Sequence, residues 1–494
     1  MSEEQRGFRV AKIEKLRQMN INPYPDSFKV NCTLGKAKEL DDDTADVKVA
    51  GRIAAIRKMG KLTFVKVQDL EGSLQFFLKK DEVGEEEYAF FKEVFDIGDF
   101  IGGTGKIFTT KTGEKSLRVE SFTFLGKSFL PLPEKFHGVS DREIIYRQRY
   151  LDLIMSQESR DLFLFRSKII KEIRNFLDEK GFLEVETPVL QNKASGALAR
   201  PFVTHHNTYD TDVYLRISPE LTLKKLVVGG YTNVYEIARN FRNEGVSPNH
   251  LQDFTMIEAY SAYWNYKDNM ELTMNLVKHI ISKLYGSLVI NIGEQEVDFS
   301  KNWPEISFRD LLLKDTGIDI EKYKTASELL EQIKQANLDL DVDNIDKLGR
   351  GNLIDALYKK VSRPKIVEPM FLVSHPIDLS PLARASDDDK SLTDRFQLIV
   401  NGQEIINGYS ELVDPAEQKE RLLKQSQLKA EGDDEAMGFD EEYILAMEYG
   451  MPPISGWGMG IDRLIQFLQD KDNIRDTVLF PLLRPLDAEP TSGE

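Results

Sequence analysis

At 494 residues the chain is long enough for two to four domains with ample core, and its 41% hydrophobic and 30% charged content is that of an ordinary globular protein. Its one cysteine, Cys32, excludes an internal disulfide; the lack of an apolar run of about 18 residues and the polar, acidic start MSEEQRGF predict neither a membrane span nor a secretory signal, so a cytoplasmic setting is expected. The net charge of −17 argues mildly against nucleic acid as a partner, but much of it sits in short runs at 41–43, 85–87, 387–389 and 433–435, which leave basic patches elsewhere free for phosphate.

In chain order, residues 1–20 have a helical pattern with Phe8, Ile13 and Leu16 apolar, broken by Pro23 and Pro25. Short strands follow at 47–56, 61–68, 72–79, 100–109 and 115–125, with a helix at 85–95 between the third and fourth. Five strands with a helix in that place predict an OB-fold barrel. Leu130-Pro131-Leu132-Pro133 reads as a linker. A long helix is expected from 158 to 180, with an apolar stripe of Phe165, Ile169, Ile170, Ile173, Phe176 and Leu177, and Gly181 stands where a C-terminal cap glycine belongs. Beyond it strands and helices mix without regular βαβ alternation, which argues against a doubly wound parallel sheet. The six histidines show no metal spacing with cysteine, so a structural zinc site is not expected. The tail 487–494 is polar and expected to be disordered.

Three distant stretches carry the chemistry. In the first, Phe254, Met256, Glu258 and Tyr260 alternate, so on a strand they share a face. A carboxylate and a phenol among apolar groups suit a partly buried amine. Upstream lies Arg242-Asn243-Glu244; alone, Arg-x-Glu is a weak motif. In the second, Asn401-Gly402 between apolar strands signals a two-residue hairpin, which would set Ile399 opposite Glu404 and Gln397 opposite Ile406. Gln397 and Glu404 would then lie on one face, close enough to share a cation. In the third, Gly456, Gly458 and Gly460 alternate and bare one strand face to a flat ligand, while Arg463 falls in the first turn of a helix starting near Ile461, a natural phosphate site.

Together with Gly181-Phe182-Leu183-Glu184-Val185-Glu186-Thr187-Pro188, these stretches resemble the three signature motifs of class II aminoacyl-tRNA synthetases. In fine detail they resemble the lysyl-tRNA synthetase family, from about Lys48 to Pro485. The resemblance implies that Arg242 binds the ATP α-phosphate and the amino-acid carboxylate, Glu244 reads the adenine amino group, Phe254 stacks on adenine, His250 belongs to the ATP loop and Arg463 holds the γ-phosphate. It departs at Asn249, usually an arginine, and at Leu251-Gln252-Asp253, usually Asn-Pro-Glu. The family's two magnesium-binding carboxylates match Glu404 and Gln397; an amide offers no charge, so an altered magnesium site is expected.

By the same resemblance, Gly196, in Ser195-Gly196-Ala197, and Glu220 contact the α-amino group, Asn407 the lysine carboxylate, and Tyr409 and Glu411 surround its side chain with Glu258 and Tyr260. Acidic groups at both ends of a pocket suit a substrate with two amines. Asn407, Tyr409 and Glu411 have the opposite strand parity to Glu404, so serving one site requires a β-bulge between Glu404 and Asn407. In the barrel, Arg57, Phe64, Gln75 and Glu114 match the family's anticodon-reading residues, and OB folds stack bases on exposed aromatics.

The expected architecture is α+β: a helical extension (1–30), an OB-fold anticodon-binding domain (31–128), a linker (129–150), a class II catalytic domain with a mainly antiparallel sheet (151–486) and a polar tail (487–494). The expected reaction is magnesium-dependent activation of L-lysine by ATP and its transfer to tRNA(Lys), by a homodimer whose contacts include the motif ending at Pro188. Three alternatives stay open at this point: a catalytically weakened paralogue that binds tRNA or lysine, a sister synthetase for another amino acid, and a non-catalytic OB-fold nucleic-acid-binding protein.

Overall fold

Alternating apolar residues from Val47 to Gly126 close a five-stranded barrel. Its strands, Val47–Met59, Leu62–Gln68, Ser73–Lys79, Lys115–Gly126 and Phe100–Thr109, neighbour one another in that order, and the last pairs back with the first. Val49, Val65, Val67, Phe76, Ile101 and Leu117 point inward and are fully buried. The helix Glu85–Val94 turns Tyr88, Phe91 and Val94 into the same core. The first helix, Glu3–Gln18, packs Ile13 and Leu16 against that cluster, whereas Phe8 is exposed. The OB-fold expectation is met, with strand ends within three residues of those read from the sequence.

The computed structural model describes residues 3–133, 141–193, 196–197, 199–245, 247–342, 345–430 and 438–486, and its chain divides into two compact units, Met1–Arg160 and Asp161–Glu494. Ser195, part of the expected linker (134–140), the acidic run 433–435 and the tail 487–494 lie outside the described residues. Helices at Arg142–Arg147 and Arg149–Met155 occupy the chain between the barrel and the second unit.

The second unit is built on an eight-stranded sheet. In spatial order the strands are Glu305–Ser307, Met370–Pro376, Leu392–Val400, Gln403–Ser410, Ile454–Gly460, Asp253–Ala262, Asn233–Phe241 and Leu183–Glu184. Only the two outermost pairs are parallel, so the sheet is mainly antiparallel as expected. One face is dry. Ile257, Ala259, Leu398, Ile406, Trp457 and Met459 pack there against the helices Gln157–Glu179, Tyr266–Tyr285 and Ile461–Leu468. The first of these buries Ile169, Ile173, Phe176 and Leu177 and ends at Gly181, whose φ of +77° favours glycine. Burying one parity of each central strand turns the other parity, including Glu258 and Asn407, to the opposite face, where the site lies.

Candidate active site

Two cavities share that face. The larger, about 470 Å³, is lined by Gly196, Glu220, Glu258, Tyr260, Tyr409 and Glu411 among others. The smaller, about 240 Å³, is lined by Glu244, His250, Phe254, Glu404, Gly460 and Arg463 among others. Arg242, Met256, Asn407 and Gly458 line both, so the cavities meet along these four residues.

The hairpin explains how residues of opposite parity reach one site. Ile399 pairs with Glu404 as expected, but Leu398 pairs with Ile406, so Ile405 is an extra residue. This is the bulge required between Glu404 and Asn407. It also corrects the register read from the turn: Gln397 lies opposite Asn407, not Ile406. Gln397, Glu404 and Asn407 therefore share a face.

In the larger cavity three carboxylates are linked in one network. Glu258 accepts from Ser218 Oγ at 2.7 Å and from Tyr260 Oη at 3.0 Å. Ser218 Oγ also accepts from the Glu220 backbone amide at 3.1 Å, and Tyr409 Oη donates to Glu220 Oε1 at 2.8 Å. Burial, then the charge of Glu220, pushes the Glu258 carboxyl up to about 7, against its two hydrogen bonds. Burial and the nearby carboxylates push the Tyr260 and Tyr409 phenols well up, so both stay protonated donors. Glu411 is buried, and its Oε1 has no hydrogen-bond partner among the described residues. An acceptor left this way in a cavity wall suits a cationic ligand.

At the junction the charge reverses. Arg395 is half-buried, donates from Nε to Asn407 Oδ1 at 2.8 Å and is braced by Leu379 O and Ser380 Oγ. This leaves the Asn407 amide nitrogen as the donor toward the cavity. Arg242 Cζ lies 5.1 Å from the Phe254 ring centre. In the loop beside the smaller cavity, Ser247 Oγ and His250 Nδ1 are 2.7 Å apart. Partial burial and then the Arg463 charge hold the His250 imidazole below its ordinary range.

Asp462 anchors the third motif. It is buried, accepts from the Thr255 backbone amide at 2.6 Å and pairs with Arg166, which donates to Thr255 Oγ1 at 3.0 Å. The exposed Arg463 beside it faces the smaller cavity.

Two expectations need revision. Gly456 bares its strand face only in part: it lines the larger cavity, but a Cβ there would collide with the Tyr260 ring and lie 2.8 Å from Glu411 Oε1. Only Gly458 and Gly460 open onto the smaller cavity. Gln397, expected to share a cation with Glu404, has its Oε1 3.2 Å from His375 Nε2 and donates from Nε2 to Glu404 Oε2 at 2.8 Å. Its oxygen faces His375, whose burial, with Arg395 nearby, keeps the ring neutral, so in this arrangement the amide nitrogen of Gln397, not its oxygen, is turned to Glu404. No group of three or more His, Cys, Asp or Glu suited to a metal occurs among the described residues. Glu404 can still hold a divalent cation whose remaining ligands are phosphate and water, a common arrangement for magnesium.

Sequence reasoning missed Lys224, Arg395, Lys359 and His375. Arg395 and Lys359 line the larger cavity, and Lys224 lies behind its wall. The sequence placed Arg395 two residues before Gln397 on the same strand face, and that parity was the available signal.

On the barrel, Arg57 pairs with Phe64 across two strands, and Phe64 contacts Phe77, which contacts Phe108. These rings are half-buried on the outer face, not in the core. Gln75 shares that face and donates to Ser116 Oγ at 2.9 Å. The exposed Glu114 lies in the adjoining turn, and Arg118 stacks over Phe108 at 4.8 Å.

The family model for class II tRNA synthetases (D, K and N) matches residues 141–484, and the model for OB-fold nucleic-acid-binding domains matches 47–125. The lysine–tRNA ligase of Carboxydothermus hydrogenoformans is 45% identical over 97% of this chain and 98% of its own length. That of Pelotomaculum thermopropionicum is 45% identical over 96% and 94%, and that of Aquifex aeolicus 46% identical over 90% and 74%.

Proposed function

Because the chain belongs to the class II tRNA synthetases (D, K and N), we propose that its two joined cavities hold L-lysine and ATP with the lysine carboxylate against the α-phosphate at Arg242. The chain activates L-lysine with ATP and transfers it to tRNA. The observation that carries the residue assignment is the polarity of the cavities: three buried carboxylates at one end, and Arg242 with Arg395 where the two meet.

Glu258, Tyr260 and the bare Glu411 Oε1 receive the ε-ammonium. Glu220, with Gly196, receives the α-ammonium. The Asn407 amide and Arg242 hold the carboxylate. Adenine lies against Phe254 with Glu244 at its amino edge, His250 borders the phosphates and Arg463 takes the γ-phosphate. A carboxylate oxygen of lysine attacks the α-phosphorus; the P–O bond to the β-phosphate breaks, and pyrophosphate leaves with its electron pair. The terminal ribose hydroxyl of the tRNA then attacks the lysyl carbonyl and AMP departs. Catalysis is placement together with neutralisation of phosphate charge by Arg242 and Arg463, with no covalent enzyme intermediate. Glu404 would hold magnesium, which when bound would supply further neutralisation of phosphate charge.

The half-buried rings Phe64, Phe77 and Phe108 with Arg57, Gln75 and Glu114 form the tRNA(Lys) anticodon surface. A homodimer forms along the motif ending at Pro188, where Leu183, Leu190 and Val203 are at least half exposed. No helix among the described residues is long and apolar enough to cross a membrane, and the reaction suits a cytoplasmic setting. ATP–pyrophosphate exchange across a panel of amino acids tests the reading: exchange with lysine alone is expected, and exchange driven by another amino acid but not by lysine would overturn it.

A further inference from the structure

We infer that Lys224, which lines neither cavity, is a positioning residue for amino-acid selection: it fixes Glu220 and Glu411 in place and sets the charge of the pocket to match a substrate with two ammonium groups. The inference rests on the reading of the larger cavity as the lysine site.

Lys224 lies four residues after Glu220 on the helix Glu220–Val228. On a surface such a pair would contribute a few tenths of a kcal/mol and carry no functional meaning. Here the side chain has no solvent exposure, and its Nζ is 2.5 Å from Glu220 Oε1 and 2.5 Å from Glu411 Oε2, the latter at the far end of the hairpin. The rings of Tyr260, Tyr409 and Tyr443 surround it at 5.7 to 6.0 Å, in place of water. Burial opposes its charge, and Glu220 and Glu411 overcome that, holding the ammonium above the ordinary lysine range. Glu258 is the remaining carboxylate of the cavity wall.

Two consequences follow. Lys224 engages one oxygen of each partner, so the other is left to face a ligand, as Glu411 Oε1 does. Burial raises the Glu411 carboxyl well above its ordinary range, with Lys224 the main opposing influence, and raises Glu258 as well; when all three carboxylates are ionised, one resident ammonium leaves two uncompensated negative charges, which the α- and ε-ammonium groups of lysine neutralise. Without Lys224 there would be a third, and a buried acid in that position takes up a proton instead of staying ionised. Lysine would then have to displace that proton in order to bind.

The test is lysine-dependent ATP–pyrophosphate exchange by wild type, Lys224→Met and Lys224→Ala between pH 7 and 9, with the KM for ATP and the melting temperature measured alongside. Lys224→Met is expected to raise the KM for lysine by about 100-fold at pH 7, as loss of one member of a buried ion pair does. The KM for ATP should stay within about twofold, and the lysine deficit relative to wild type at the same pH should shrink toward pH 9 as the stranded acids ionise. Ethylammonium should restore part of the lysine affinity of Lys224→Ala. A pH-independent deficit that affects ATP and lysine equally would overturn the inference. If the variants do not fold, calorimetry of lysine binding to wild type at pH 8 in two buffers decides. Release of less than about 0.3 proton is expected if Glu220 and Glu411 are already ionised, and release of one or more would refute it. A wild type without lysine-dependent exchange would instead remove the site reading underneath.

Discussion

Lowering the pH from 8 to 6 should weaken lysine capture about tenfold through Glu258, one of two cavity carboxyls, with Glu411, that burial raises. The Glu258 carboxyl is 4% exposed and is pushed up to about 7 by burial and by the charge of Glu220, despite hydrogen bonds from Ser218 and Tyr260. The neutral acid cannot pair with an ammonium, so lysine binds the ionised form. With a pKa near 7, about nine-tenths of Glu258 is ionised at pH 8 and about one-tenth at pH 6. The kcat/KM for lysine, which reports the free enzyme, should rise about tenfold over that interval and level off above it. The KM for ATP should not follow the same curve, because Glu258 lines only the larger cavity. Glu258→Gln should flatten the profile and lower kcat/KM for lysine by about 100-fold at pH 8, as truncating one side of a buried charge pair costs about 2–5 kcal/mol. Pyrophosphate exchange at saturating ATP, in steps of half a pH unit, measures both. A wild-type profile flat from pH 6 to 8, or an inflection near 7 that survives Glu258→Gln, would rule out Glu258 as the titrating group.

Arg242→Lys should lower kcat/KM for lysine and for ATP together, by about 100-fold or more, because an ammonium cannot span two oxygens as a guanidinium does; a loss confined to one substrate in steady-state exchange would remove Arg242 from the junction. Gln397→Glu adds a carboxylate beside Glu404, so the magnesium concentration for half-maximal exchange should fall several-fold, and an unchanged magnesium titration would show that Gln397 does not limit the site. Phe64→Ala should raise the KM for tRNA in aminoacylation by about tenfold, in line with loss of one stacked base, while leaving pyrophosphate exchange unchanged; equal loss in both assays would contradict an anticodon role. Leu190→Asp should shift the chain from dimer to monomer in sedimentation velocity, and a persistent dimer would place the interface elsewhere.

The parts of the fold legible in the sequence were those written in strand periodicity. The alternation of Phe254, Met256, Glu258 and Tyr260 placed a carboxylate and a phenol on one face, and the sheet keeps them there because Ile257 and Ala259 claim the dry side. The bulge at Ile405 was legible from a conflict: Glu404 and Asn407 had opposite parity, and one site had to hold both. The register of Gln397 was misread for the same reason, since counting from the Asn401-Gly402 turn assumes an unbroken ladder. Gly456 read as a fully bare ligand-facing gap because sequence spacing does not show that Tyr260, on the neighbouring strand, fills part of it. Lys224 was invisible for a different reason. A glutamate followed four residues later by a lysine is what a solvated helix face looks like, and only the tertiary approach of Glu411 makes this pair a buried one. The eight-strand order was likewise out of reach, because it depends on long-range pairings such as Asp253–Ala262 with Ile454–Gly460.

A crystal structure with a non-hydrolysable lysyl-adenylate analogue would decide whether the larger cavity holds the lysyl side chain. The linkage that replaces the α-phosphate is expected at Arg242, the adenine against Phe254, and the ε-ammonium within hydrogen-bond distance of Glu258 and Glu411 Oε1. An analogue bound with its lysyl side chain outside the larger cavity, or with its ammonium away from both carboxylates, would contradict this placement.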